Sequence, residues 1–274
     1  MKRELELSRR LRSLEALGEA VGAMKSLSAH HFREIRRAVE PARIYRDGVR
    51  AILDRSGGEI GAGTGPAGLL VVGGELGLCG SYNARLVAAA AKRRGELGAG
   101  PTRCVGHRAA ALLARRGVDL QAVYGAPTGV AGMTDLLLRL AEDTLEGYAG
   151  QDLSSLDIVA SRFAGVGAAE PGVVRLLPLP PARADPAAGA RYVTSAQLGS
   201  AAVREFLYVA LYDLLLDALA SEHGARLLAT QSAEQWLDER TARLRRQLAA
   251  ARREASTQEM LEIAGGARAR ARLA

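Results

Sequence analysis

Leu7, Leu11, Leu14, Gly18, Val21, Lys25, Ser28, Phe32, Ile35 and Val39 recur at steps of four and three, in a stretch free of proline from Glu4 to about Val39. Residues so spaced share one face of a helix, so the pattern predicts a heptad seam, closed by Pro41. Small or polar Gly18, Lys25 and Ser28 interrupt the seam, while Leu17, Met24 and Leu27 lie on the adjacent ridge. A long helix with two neighbouring contact faces is implied. From Ser195 to about Ala269 proline is again absent. Leu207, Leu211, Leu214, Ala218, Ser221, Ala225, Leu228 and Ser232 keep the same steps, and Leu237, Leu244, Leu248 and Ala251 resume them in a shifted frame. A continuous helix over residues 197–268 would be on the order of 100 Å long, deeper than a single globular core.

Between these patterns the periodicity changes. The glycine-rich run Ser56–Gly68 breaks any helix and reads as a linker. Strand-like stretches at 68–73, 102–106 and 118–124 then alternate with helix-like stretches at 82–94, 107–116 and 130–148. Asp157–Phe163 and Val173–Leu177 follow with no helix between them, which suggests an edge hairpin. Pro178, Pro180, Pro181 and Pro186 mark a second linker. The division is therefore an N-terminal helix at 1–56, an α/β domain with flanking linkers at 57–195 and a C-terminal helix at 196–274. Strands alternating with helices give an α/β, Rossmann-like module. The distant seams are buried most simply against each other, as a long antiparallel coiled coil into which that module is inserted. The longer C-terminal helix must project beyond its mate and needs another protein around it.

Composition adds less. With 48% hydrophobic and 24% charged residues, the 274-residue chain can bury a core, and 4% aromatics with abundant Ala, Leu and Arg favour helices. A net charge of +7 and a pI near 9.8 imply an anionic partner, whether nucleic acid, membrane surface or acidic protein. Cys79 and Cys104 are too few for a disulfide framework and suggest a reducing compartment. No apolar run reaches about 18 residues, and Met1-Lys2-Arg3 leads into Glu4 and Glu6 instead of a signal-peptide core. A soluble, cytoplasmic location is the default expectation.

No catalytic site, cofactor site or metal site emerges. Gly63-Thr-Gly65-Pro-Ala-Gly68 matches G-x-G-x-x-G but precedes its strand and carries Pro66 where a helix should open, so it reads as linker. Gly73-Gly-Glu-Leu-Gly-Leu-Cys-Gly-Ser-Tyr-Asn83 has the right order, strand then glycines then helix, but lacks the lysine of a phosphate loop and reads as a tight turn. His30, His31, His107 and His223 show no i, i+4 histidine pair and no cysteine cluster. Ser8, Ser28 and Ser81 lack a nucleophile-elbow context, and the carboxylates are scattered along amphipathic faces. Arg240, Arg243, Arg245, Arg246, Arg252 and Arg253, with Arg9, Arg10 and Arg12, suit a solvated helix face, nucleic acid or an acidic protein surface. Trp236 alone offers stacking nearby, which weakens a single-strand reading.

Three stretches resemble the gamma subunits of rotary F-type ATP synthases. They are Arg9–Leu14 with Ala23-Met-Lys25; Gly77-Leu-Cys-Gly80 with Asn83; and Ser221–Leu227 with Ala251-Arg252, Thr257-Gln-Glu259 and Glu262-Ile263. The likeness spans essentially the whole chain. Departures occur at Gly74-Glu75-Leu76, where the family usually has Ser-Asp-Arg, at Gly224, where alanine is common, and at Arg253-Glu254, in place of Gln-Ala. They suggest a diverged branch and leave the coupling ion, proton or sodium, open.

The resemblance implies a central-stalk rotor without catalytic site or cofactor, coupling ion flow through the membrane c-ring to ATP synthesis or hydrolysis. It implies a shaft within the alpha and beta hexamer and an α/β domain below, contacting the epsilon subunit and c-ring. It further implies that Met24 and Lys25 meet the beta levers, and that Arg252, Thr257, Gln258 and Glu259 meet the upper catch loops. Gly77, Cys79, Gly80 and Asn83 would form the lower-domain turn, and the end from Ile263 to Ala274 would rotate in an apolar collar. The location implied is the cytoplasmic face of the bacterial inner membrane, as a peripheral subunit without a span. The alternative is a basic coiled-coil nucleic-acid-binding protein.

Overall fold

The computed structural model describes residues 2–56, 61, 63–150, 153–179 and 194–271. Along the chain run α1 (Lys2–Ser56), β1 (Ala67–Val72), α2 (Tyr82–Leu97), β2 (Thr102–Val105), α3 (His107–Arg115) and β3 (Ala122–Tyr124). A short 3-10 turn, Val130–Gly132, leads to α4 (Met133–Ala149), β4 (Ser155–Arg162), β5 (Glu170–Leu177) and α5 (Ser195–Ala271). The strands form one sheet in the order β3-β2-β1-β4-β5, parallel except for the antiparallel β4–β5 edge hairpin.

Alternation along β1 divides the two cores, because successive side chains leave opposite faces of a strand. Leu70 and Val72 join Ile158 and Ala160 of β4 in a core shared with α1, α4 and α5. Leu69 and Val71 join Cys104 and Val159 in a second core with Leu86, Val87 and Ala90 of α2 and Ala109 and Leu113 of α3. The strand expected over 118–124 contracts to β3, because Gly117, at φ 74°, turns the chain out of α3. The Val118 N–H then donates to Leu113 O, and Val118 and Leu120 pack on the second core.

Two compact units emerge, Leu27–Ala229 and, separately, Met1–Ser26 with Thr230–Ala274, and both long helices contribute to each. In the smaller unit α1 and α5 pair antiparallel. Lys25 meets Glu234, Glu15 meets Arg245 and Glu4 meets Arg252, so residue numbers rise on one helix as they fall on the other. Val21, Leu237, Leu244, Leu248 and Ala251 are buried there, and Leu7, Leu11, Leu14 and Gly18 are half-buried. Leu17 of the adjacent ridge stays exposed, as does Leu27 at the start of the larger unit.

Two expectations about the helices need correction. Pro41 does not close α1, which continues to Ser56. An interior proline removes one backbone hydrogen bond and costs about 3 kcal/mol. Here Pro41 and Arg37, whose carbonyl loses its donor, both face solvent. The seam also continues beyond Val39 through buried Ala42, Val49 and Leu53, and Arg43 and Arg46 reach the buried carboxylates of Asp217 and Asp213 on α5. On α5 the seam as drawn fails at Leu228 and Ser232, which are exposed. Between Val209 and Gly224 every residue except Tyr212 is buried, so that segment presents no single stripe.

The linkers are only partly described: Gly63 packs on Leu153, Gly68 lies within β1, and Pro178 follows β5. Residues 57–60 and 62, and the prolines at 180, 181 and 186, lie outside the described residues.

Asp157 of β4 is 1% exposed and accepts hydrogen bonds from Arg93 Nε of α2 and Arg175 Nε of β5, each at 2.7 Å. Burial pushes its carboxyl up, but the hydrogen bonds from Arg175 and Arg93 outweigh burial and hold it below the ordinary value. A depressed carboxylate stabilises the fold above its unfolded pKa of about 3.9 and loses that contribution as pH falls through the folded value. The Asp157→Asn variant should lose about 2–3 kcal/mol at neutral pH and show a shallower acid limb in urea unfolding between about pH 4 and 2.

Candidate functional site

The glycine turn after β1 is bound on three sides. Gly73 N–H donates to Val105 O at 2.9 Å, and Gly74 N–H donates to Asn83 Oδ1 at 2.9 Å. A Cβ on Gly73 would lie 2.3 Å from Ala109 Cβ, and one on Gly74 would lie 2.8 Å from the Glu222 carboxyl carbon. Close approach requires glycine at 73, while at 74 a side chain would have to displace the Glu222 carboxyl. Leu78 (φ 58°) and Gly80 (φ 57°) then reverse the chain into α2, and Leu78 is the single non-glycine residue with positive φ among the described residues. Asn83 Nδ2 donates to the buried Cys79 sulfur at 3.5 Å. Burial pushes the Cys79 thiol up, against a reactive role. Gly77, Cys79, Gly80 and Asn83 therefore do come together in one turn.

Beneath the turn lies α5. Arg226, 1% exposed, donates from Nε to Gly77 O at 3.1 Å, pairs with Glu222 one helical turn earlier, and reaches His223 Nδ1 at 3.3 Å. His223 Nε2 lies 3.0 Å from Thr128 O. If Nε2 carries the proton, Nδ1 is left to accept from Arg226. Burial, with Arg226 alongside, pushes His223 down to about 4. Burial pushes Glu222 up against the pull of Arg226.

Glu75 also turns inward. Its Oε2 accepts from His107 N–H at 3.1 Å, at the start of α3, and from Ala126 N–H at 2.9 Å, while Oε1 lies 2.7 Å from His107 Nδ1. Burial alone would push its carboxyl up, but the Ala126 and His107 hydrogen bonds hold it below the usual range. Leu76 and Leu78 remain exposed. The cavity bordered by Gly73, Leu219 and Glu222 measures about 10 Å³. That space holds no phosphate, and the adjacent Glu222 would repel one.

The residues expected to meet partners lie apart from this turn. Met24 is half-buried, Lys25 is engaged by Glu234, and Arg252 Nε donates to Glu4 at 2.9 Å. Thr257 Oγ1 donates to Arg253 O of its own helix at 2.9 Å, while Gln258 and Glu259 are exposed. Met260, Leu261 and Ile263 are exposed by 65%, 68% and 73%, a run of apolar surface without cover in the isolated chain. Residues 272–274 of the expected apolar end lie outside the described residues. Sequence reasoning did not identify the Glu222–Arg226 pair, although their i, i+4 spacing was the available signal.

The sequence pattern of the family described as ATP synthase matches residues 4–269. The ATP synthase gamma chain of Geotalea daltonii is 30% identical, over 95% of this chain and 96% of its own. That of Pelotomaculum thermopropionicum is 27% identical, over 96% and 98%. Among solved structures, a chain of the Euglena gracilis mitochondrial ATP synthase, in its OSCP/F1/c-ring assembly, matches with a TM-score of 0.68 at 16% identity, over 98% of this chain and 94% of its own. A chain of the Tetrahymena thermophila central stalk and c-ring matches at 0.62 and 19% identity, over 78% and 99%. The structural likenesses extend the agreement to the fold.

The buried cluster makes a stability prediction. Arg226→Ala should cost about 3–5 kcal/mol in urea unfolding, because Glu222 is left as an uncompensated buried charge. Combining it with Glu222→Gln should cost less than the sum of the single changes, and simple additivity would show that the two groups act separately.

Proposed function

The chain belongs to the ATP synthase gamma-chain family, and from that membership we infer that it is the non-catalytic rotor subunit of the central stalk of an F-type ATP synthase, coupling ion flow through the c-ring to ATP synthesis or hydrolysis. The observation that carries this reading is the 30% identity with a gamma chain over nearly the full length of both proteins. Catalysis belongs to the beta subunits.

The partners are the alpha and beta hexamer, the epsilon subunit and the c-ring. Among the described residues no helix is long and apolar enough to cross a membrane, which suits a peripheral subunit. In this reading its place is the cytoplasmic face of a bacterial inner membrane, since the gamma chains it resembles are bacterial. The N-terminal helix at 1–56 and the C-terminal helix at 196–274 make the shaft, an antiparallel coiled coil, and residues 57–195 make the α/β base.

Torque entering the base passes into α5, where every residue from Val209 to Gly224 is buried apart from Tyr212. The same helix continues to Ala271 without a break. Met24, Lys25, Arg252, Thr257, Gln258 and Glu259 meet the hexamer in this reading. Lys25 and Arg252 already hold Glu234 and Glu4, so partner carboxylates would exchange with internal ones. An exposed pair such as Arg252–Glu4 is worth about 0–1 kcal/mol, weak enough to form and break during rotation. The nucleic-acid alternative finds no support among the relatives, which are ATP synthase gamma chains.

Co-expression with the cognate alpha and beta subunits should yield an ATPase particle whose activity requires this chain. Ending the chain after Trp236 removes Leu237, Leu244, Leu248 and Ala251, and should abolish stable assembly or uncouple hydrolysis from ion pumping. Undiminished ATP-driven pumping by particles carrying the shortened chain would overturn the shaft reading.

A further inference from the structure

We propose that His30, His31 and Glu34 form a site for a divalent transition metal, with zinc the ion that best suits the donors. All are on α1, and their ligand atoms lie within 4.8 Å of one another. His30 Nε2 is 3.6 Å from Glu34 Oε1, and His31 Nδ1 is 3.4 Å from Glu34 Oε2. Ligand atoms around a tetrahedral zinc, with bonds of about 2.0–2.1 Å, stand about 3.3–3.4 Å apart. The two contacts end on different oxygens of the same carboxylate, so Glu34 would hold the ion through both oxygens or turn to present one of them. The edge between the imidazoles shortens by rotation of the exposed His30 side chain.

The surroundings favour a ligand at this place. The His31 ring is half-buried and is set between His30 and His223, each with its centroid 5.5 Å away. On its open side stands Gly129, where a Cβ would come 2.9 Å from His31 Nδ1. Glycine there keeps clear the space next to the ligand nitrogen. That space belongs to a cavity of about 520 Å³ bordered by His31, Glu34, Thr128 and Val130, with room for the water needed to complete a sphere of three protein donors. Two imidazoles and one carboxylate suit zinc, whereas magnesium and calcium prefer oxygen donors alone. Arg37 borders the same cavity, so an anion bound to the metal would also meet a cation.

The site is independent of the rotor assignment, because its donors come from one helix and require no partner subunit. The test uses the metal-free full chain, titrated with Co²⁺ as an optical probe and then with Zn²⁺. Wild type should take up a single tight equivalent, show the intense visible bands of tetrahedral cobalt, and lose them as zinc displaces it. Glu34→Gln and His30→Ala, both at exposed positions, should keep the helical circular dichroism but bind at least about tenfold more weakly. Absence of the cobalt bands in wild type, or wild-type affinity in either variant, would overturn the proposal. Competition by Mg²⁺ as effective as that by Zn²⁺ would overturn the donor assignment.

Discussion

Arg226 places a guanidinium where the side chain is 1% exposed, and a charge so placed must be met by fixed partners. Glu222 supplies the opposite charge from the same helix, and Gly77 O and His223 Nδ1 supply further acceptors. Each partner constrains something else. Gly77 belongs to the turn between β1 and α2, so the turn is held onto α5. His223 lies against Thr128 O, which ties in the segment before the 3-10 turn. Glu222 fills the space in front of Gly74, so a Cβ at position 74 would have to displace its carboxyl. One buried cation thus accounts for the conformation of a turn far from it in sequence.

The two compact units rely on different physics. In the larger one, carboxylates at Asp157, Asp213, Asp217 and Glu222 are buried and paired with arginines. Removing either member of such a pair leaves an expensive charge, so these groups specify one arrangement. In the smaller unit the pairs Glu4–Arg252 and Glu15–Arg245 are largely exposed, and aliphatic side chains carry the cohesion. Screened pairs there set register at little energetic cost and can be exchanged for others. A rotor can use both, a part that does not rearrange and a surface whose contacts are temporary.

Much of this is legible from spacing alone. The first seam from Leu7 to Val39 is buried or half-buried at every position named, and the strand and helix alternation and the edge hairpin agree with the sheet. The failures share a cause, since periodicity reports a single face and says nothing of partners from elsewhere. Pro41 reads as a stop because its local cost is visible, while the offsetting contacts of Ala42, Val49 and Leu53 are not. Leu228 and Ser232 read as seam because the steps continue, yet the preceding part of α5 is enclosed on every side. Glu75 reads only as a departure from the family pattern, and spacing gives no hint that it binds the start of α3 and Ala126. For the histidines, looking for a second histidine at i+4 passes over Glu34, which stands at that spacing from His30.

The glycine turn shows why a strand–glycine–helix pattern is ambiguous in principle. Phosphate loops use glycine so that a ligand can approach the backbone. The requirement is closeness, and a protein side chain can meet it as well as a phosphate can. Here the close objects are Ala109 at Gly73 and the Glu222 carboxyl at Gly74. An anion does approach this backbone, but it is a carboxylate carried on α5 and neutralised by Arg226 from the same helix. A cue for nucleotide binding has thus been satisfied internally, which joins the sheet to the helix that a rotor must turn.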